Sequence, residues 1–426
     1  MTNSTTREAV EAVWRLESTR LIAGLVRMVR DVGLAEDLAQ DALVAALAQW
    51  PETGVPDNPG AWLMTTAKRR GVDQFRRRAR GDQIYAAIAH AQGSDVSEED
   101  FLAAVDHVED DVLRLMFICC HPVLTSEAQC TLTLKLVGGL TTREIARAYL
   151  ATEATVAQRI VRAKRTLAEA GAATEEPSEA ERAQRLTTVL SVIYLLYNEG
   201  YSATAGSEWI RPALCDEALR LGRILAALAP RDSEVHGLCA LMELQSSRLA
   251  ARAAEDGSPI LLLDQDRSRW DPVHIMRGLA ALDRAEALAE ALATELGPYA
   301  LQAAIAACHA RAETAEATDW VRIADLYERL ARVTGSPVVE VNRAVALGMA
   351  YGPEAGLALL DQLEGLPALS GYHLLPSVRG DLLDKLRRHE EAKAEFARAA
   401  TMTQNERERR LLLDRASGRP AGHSSP

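Results

Sequence analysis

Apolar residues recur every three to four positions through most of this chain and almost nowhere alternate. That spacing predicts amphipathic helices rather than strands. A first helix is expected over roughly Arg7 to Asp31. A second runs from Leu34 to Trp50, with Leu38, Ala42, Leu43, Ala46 and Leu47 on one side. Pro51 to Pro59 interrupts the pattern. Asn58 is placed to cap the helix that follows, with Pro59 at its first position. That helix continues through Trp62 and Leu63 into RRGVDQFRRRAR. The pattern divides the chain into a bundle over 1–82, an acidic linker over 83–105 and a second helical domain over 106–170. A short linker over 171–182, repeated helices over 183–413 and a disordered tail over 414–426 complete it. The expected fold class is all-α.

Composition supports this reading. Of 426 residues, 48% are hydrophobic and 25% charged, as in a soluble globular protein, while only 4% are aromatic. Strands prefer aromatic and β-branched side chains, so abundant alanine favours packed helices. The net charge of −12 is uneven: residues 1–170 hold 20 Lys and Arg against 23 Asp and Glu, and the remainder is at −9. Such a balance argues against nucleic acid globally. Contact is decided locally, because phosphate attraction is screened beyond about 8–10 Å at cellular salt. No apolar run approaches the ~18 residues needed to span a bilayer, and MTNSTTREAVEAVW lacks a signal pattern, so the expected location is cytoplasmic, without membrane. The six cysteines form no CxxC pair and read as buried free thiols.

The segment Thr141 to Leu167 has the spacing of two short helices joined by a tight turn. Ile145 and Ala146, then Val156, Ile160 and Leu167, supply a shared core, and Thr152 or Glu153 can cap the second helix. Thr155, Gln158, Arg159, Arg162, Lys164 and Arg165 are left to face DNA. Gln and Arg suit adenine and guanine edges, and Lys164 and Arg165 suit phosphates. A second basic element lies between Lys68 and Arg80, where Lys68, Arg69, Arg70, Arg76, Arg77 and Arg78 cluster with Trp62 and Phe75 interleaved. Arginines follow phosphates and aromatics stack on unpaired bases, although Trp62 equally suits a core. Between these elements and the N-terminus, Glu36, Asp37, Gln40 and Asp41 gather as an exposed acidic stripe suited to a basic protein partner.

In their order these motifs resemble regions 2 and 4 of a bacterial RNA polymerase sigma factor of the extracytoplasmic-function group within the sigma-70 family. The resemblance implies that DVGLAEDLAQDALVAAL docks on the polymerase β′ clamp through Asp37, Gln40 and Asp41. It implies that NPGAWLMTTAKRRGVDQFRRR opens and reads the −10 element, that EATVAQRIVRAKR reads the −35 element, and that the β flap is a further contact. Arg69 stands where many members carry Asn, and Leu150 where many carry Gly. LLYNEGYSA, LMELQSSRLAAR, LLLDQDRSRWD, GPYALQAAIAACHA and SPVVEVNRAVAL are similar to the long C-terminal extension of one subgroup, a tetratricopeptide-like helical-repeat domain that influences activity. The implied protein is an alternative sigma factor that binds core polymerase and promoter DNA, with an unidentified protein or peptide partner for the extension.

Gly380, Ala392, Phe396 and Ala399 fit the small–small–aromatic–small spacing of a tetratricopeptide unit. Cys119, Cys120 and His121 read as a structural helix end. Adjacent cysteines do not readily share one tetrahedral metal, and no second ligand pair stands at the right spacing, so no metal or cofactor is expected. Asp266, Arg267 and Asp271 in QDRSRWD read as ion pairs fixing a helix corner. The sequence has no GK[ST] loop, HExxH or GxSxG, so an enzyme is not expected. The rival reading is a helix-turn-helix regulator with a tetratricopeptide effector domain, acting without polymerase. The melting element at 61–80 is what it lacks a use for.

Overall fold

The computed structural model describes residues 3–79, 108–149, 151–174, 179–202, 210–254 and 259–418. All regular segments among them are helical, apart from an isolated bridge between Ala253 and Pro259. The expected linker at 83–105, Leu150 and residues 419–426 of the expected tail lie outside the described residues, whereas 414–416, expected to be disordered, continue the last helix. The chain divides into two compact units, Met1–Ile193 and Tyr194–Pro426.

In the first unit, α1 (Asn3–Val29), α2 (Val32–Thr53) and α3 (Pro59–Ala79) pack mutually. Their core holds Leu21, Leu25, Leu38, Ala42, Ala46, Trp50 and Leu63. The Asp31 carboxylate accepts the Leu34 N–H at 2.7 Å and starts α2, and Asn58 accepts the Ala61 N–H at 3.0 Å to start α3. α2 runs past the expected stop at Pro51. The proline sits in its last turn, which ends at Gly54 with φ +83°. Gly71 lets α3 approach α2: a Cβ there would lie 3.2 Å from Leu38.

Among the described residues the unit continues with α4 (Val108–Cys119), α5 (Ser126–Leu136), α6 (Thr142–Ala148), α7 (Glu153–Glu169) and most of α8 (Glu179–Tyr201). α4 packs on α1. The turn before α6 uses Gly139 at φ +72°. Thr141 and Glu144 then form a reciprocal capping box, the Thr141 N–H reaching the Glu144 carboxylate at 2.8 Å and the Glu144 N–H reaching Thr141 Oγ1 at 3.2 Å.

The end of α8 (Glu179–Tyr201) opens the second unit, followed by α9 (Pro212–Leu228), α10 (Ser233–Ser246), α11 (Pro272–Ala291) and α12 (Pro298–Arg311). α13 (Trp320–Thr334), α14 (Pro337–Tyr351), α15 (Pro353–Leu363), α16 (Leu374–Lys385), α17 (His389–Met402) and α18 (Glu406–Ala416) complete it. Successive helices pack together from α9 to α18, and α10 also meets α12 while α14 meets α16, as stacked helical pairs do. One core joins Leu241, Leu282, Leu301 and Ile323; another joins Val341, Leu360, Leu382 and Phe396. Gly380 faces Phe396 so closely that a Cβ would lie 2.6 Å from the ring. The small residue is what admits the aromatic one.

The repeat is interrupted at 248–271, where the described residues form three 3-10 turns and no α-helix. Arginines of this connector cover the carbonyl ends of helices. Arg252 donates to Tyr201 O, and Arg267 donates to His309 O and, at 2.6 Å, to Ala312 O. The corner is therefore held by backbone acceptors rather than by the expected ion pairs. Asp266 and Asp271 serve as caps, accepting from Ser268 N–H at 2.9 Å and from Val273 N–H at 2.7 Å.

Candidate nucleic-acid interface

α7 is fixed at its start by Thr152, whose Oγ1 accepts the Thr155 N–H at 3.1 Å. Val156, Ile160, Ala163 and Leu167 are buried along one side. Full burial of side chains of this size stabilises by about 2 kcal/mol each, apart from the smaller alanine, so the rotation of the helix about its axis is strongly set. The opposite side exposes Thr155, Gln158, Arg162 and Arg165. Arg165 Nε donates to Glu169 at 2.7 Å on that open face. These four expected DNA-facing residues share one surface, with a Gln and an Arg free to project toward base edges.

The other two are turned to protein. Arg159 pairs with Glu127 at 2.9 Å and leans on Thr131 of α5. Lys164 pairs with Glu36 of α2. Glu36 also faces Lys135 at 3.6 Å, and its side chain is 7% exposed against 18% for each lysine. Glu36 therefore does not belong to the exposed acidic stripe. It is a buried carboxylate between two cations of α5 and α7, and the expectation is corrected. Further contacts accompany it: Thr19 Oγ1 donates to Val137 O at 2.9 Å, and Arg27 lies 3.5 Å from the buried Asp111. The N-terminal bundle and the helix-turn-helix part thus close on each other within the first unit.

The remaining acidic residues of α2 stay available. Asp37 and Asp41 are exposed and Gln40 is half-buried. Asp41 meets Arg70 of α3 at 3.3 Å. On α3, Arg69 is exposed, and Lys68 and Arg70 are half-buried. Trp62 packs edge-on against Trp50, with ring centroids 5.3 Å apart, so part of its surface belongs to the core. Arg76, Arg77 and Arg78 lie on the helical backbone of α3, but their side chains are outside the described residues.

Cys119 and Cys120 end α4 in the interior. Gln129 Nε2 donates to the carbonyls of Cys120 and His121 at 3.2 and 3.1 Å, closing that helix end. Burial pushes the Cys120 thiol up to about 12 and the Cys119 thiol well above its ordinary value. Both are poor metal ligands and poor nucleophiles in this state. Among the described residues no helix is long and apolar enough to cross a membrane.

One local signal in the sequence went unused, and one functional neighbour had none. The Thr141–Glu144 capping box is visible as T-x-x-E. Lys135 lies in the last turn of α5, but nothing local marks it as a partner of Glu36.

The Sigma-70 region 2 family matches residues 15–81, and the Sigma-70, region 4 family matches residues 114–167. A family of unknown function matches residues 185–286. An uncharacterized protein of Rhizobium meliloti is 43% identical over 405 residues, covering 94% of each chain. The ECF RNA polymerase sigma factor SigK of Mycobacterium bovis is 30% identical over 156 residues, 35% of this chain and 78% of that one. SigK of Mycobacterium ulcerans is 29% identical over 168 residues, covering 38% and 84%. No solved structure matches.

Proposed function

The chain belongs to the extracytoplasmic-function sigma factors of the sigma-70 family, and on that premise we propose how its residues divide the work. It is an alternative sigma factor that directs core RNA polymerase to promoter DNA; the polymerase supplies the chemistry. α7 reads the −35 element through Thr155, Gln158 and Arg162, with Arg165 on phosphate. α3 opens and reads the −10 element with Trp62, Lys68, Arg69 and Arg70, continuing into Arg76, Arg77 and Arg78. Asp37, Gln40 and Asp41 dock on the β′ clamp, and the helix-turn-helix part engages the β flap. Two weak readers on one chain impose a spacing between the two elements. The observation that carries this reading is the outer face of α7, where a Gln and an Arg project from a capped helix whose other side is locked in a core.

The second unit is read as a regulatory helical-repeat domain that sets the activity of the promoter-reading unit, with a protein or peptide as its partner. Its acidic balance, carrying most of the net charge, supports this. The test is transcription in vitro from genomic fragments with core polymerase, using the full chain and the chain without residues 179–426. Full-length protein is expected to direct specific starts, and truncation to change their yield severalfold. Asp37→Arg is expected to abolish capture of core polymerase while leaving the circular dichroism spectrum unchanged. A full chain that neither associates with core polymerase nor directs a start overturns the assignment.

A further inference from the structure

We propose that Lys135 and Lys164 form a binding site for a DNA backbone phosphate, and that the Glu36 carboxylate fills this site in the closed chain as an internal stand-in. The proposal rests on the reading of α7 as the −35 helix.

The site is defined by convergence. Lys135 comes from the last turn of α5 and Lys164 from the second half of α7, and both ammonium groups meet one carboxylate. Two cations face one anion, so the pair retains excess positive charge. Each lysine side chain is only 18% exposed. Long flexible lysines are held in this way only at a considerable entropic cost, and the anion is what orders them. A phosphodiester oxygen pair has the same single negative charge as a carboxylate and a similar span between its two oxygens. Lys164 is half-buried on the flank of α7, next to Arg165 at the edge of its exposed face. Backbone phosphates border the groove that such a face enters.

The stand-in comes from an informative place. Glu36 lies on α2, one residue before Asp37 and one turn before Gln40. The helix that supplies the polymerase-docking residues therefore also supplies the anion that masks the DNA site. While Glu36 holds both lysines, their charges are spent on protein. When α2 and α7 separate, a phosphate replaces the carboxylate one charge for one, and no unpaired lysine is left behind. The exchange makes strong DNA binding by the free chain unfavourable and places Lys135 among the DNA contacts.

The test uses salt. Each phosphate contact adds about 0.9 to the slope of log K against log salt. Holoenzyme assembled from core polymerase and the full chain is titrated on a promoter fragment recovered by transcription in vitro. Lys135→Gln is expected to weaken binding about threefold to tenfold at low salt and to lower the slope by about one, without altering which −35 sequences are preferred. The free full chain is titrated on a 30-base-pair mixed-sequence duplex. There Glu36→Gln is expected to raise affinity about tenfold, and Glu36→Gln combined with Lys135→Gln to remove the gain. A Lys135→Gln holoenzyme with wild-type affinity and slope overturns the proposal. If Glu36→Gln fails to fold by circular dichroism, the Lys135→Gln slope alone decides. Arg162→Ala separates the two levels: loss of −35 preference in that variant with a silent Lys135→Gln sinks the phosphate site and keeps the α7 reading. Silence in both variants sinks the α7 reading first.

Discussion

Glu36 and Glu243 are the same chemical device put to different uses in the two units. Each is almost fully buried, at 6% and 4% exposure, and each is gripped by two basic side chains. Glu243 of α10 takes Arg223 of α9 at 2.6 Å and His274 of α11 at 2.6 Å. Its partners sit on the helices immediately before and after its own, so the bridge is as local as a helical repeat allows. Glu36 instead reaches Lys135 and Lys164, far along the chain and in the segment matched by a different sigma family region. A bridge between neighbouring helices has no state in which it opens short of unfolding. A bridge between two functional regions has such a state under the masked-phosphate proposal, in which α2 and α7 part when the two regions take up the −10 and −35 elements. The lesson is that burial alone does not tell a scaffold contact from a releasable one, and a bridge that joins two functional regions is where the difference is to be tested.

The sharpest way to break this comparison is to remove both carboxylates. Glu243→Ala leaves a hole in a packed layer and frees Arg223 and His274, whose side chains are already 47% and 27% exposed, and the expected loss is about 2–3 kcal/mol. Glu36→Ala releases two lysines that reach water once the two regions part, so only about 1–2 kcal/mol is expected. Denaturant unfolding followed by circular dichroism measures both. Equal losses erase the distinction and make Glu36 as structural as Glu243.

A second probe asks whether the interior of the repeat unit is as rigid as its local bridges suggest. His309 is held neutral, with its pKa lowered to about 3, chiefly by burial and then by the charges of Arg248 and Arg267. The unfolded chain takes up a proton on this residue near pH 6.5, while the folded chain does so only near 3. Between those values the unfolded state binds more protons, so the stability this histidine contributes is complete above pH 6.5 and is lost as pH falls. From pH 6.5 to 5 the loss is about 2 kcal/mol. Melting temperatures of the wild type and His309→Gln across that range are the readout, with the variant expected to show the flatter curve. Parallel curves mean that the helix end around His309 opens enough to admit the proton.

How far the sequence led is visible in the same residues. Asn58 and Pro59, Thr152, and the Gly380–Phe396 pair act through neighbours or through a repeat of known spacing, and each does in the structure what its position implied. The exposure of Thr155, Gln158, Arg162 and Arg165 was likewise legible, because four apolar residues fix which way α7 faces. Glu36 was not. Its stripe of acids looks solvated along α2, and only the fold brings Lys135 and Lys164 to it. The 265–271 corner misled for a different reason. Arg267 finds backbone carbonyls at the end of α12, and a carbonyl has no signature in the sequence. Pro51 marked the stop of α2 about one turn early, since a proline near the end of a helix removes only one donor.

The smallest expected effect sharpens the comparison within a single helix. Arg165 and Lys164 are adjacent on α7, but Arg165 pairs with Glu169 in open solvent, at 79% and 62% side-chain exposure, whereas Lys164 pairs with Glu36 in the interior. An exposed pair four residues apart gains little from its Coulomb attraction and is screened by salt. Arg165→Gln is therefore expected to leave the melting temperature unchanged within error, in low salt and high. Lys164→Gln is expected to lower it measurably, because Glu36 then keeps only the more distant of its two cations. On DNA the ranking changes. Both residues are assigned to phosphate, so each variant should reduce the salt slope of holoenzyme binding by about one. Equal effects on DNA with unequal effects on folding are what a masked phosphate site predicts for one of two neighbours. If Arg165→Gln destabilises the free chain as much as Lys164→Gln does, the burial of Lys164 has no energetic meaning and the contrast between the two glutamates loses its basis.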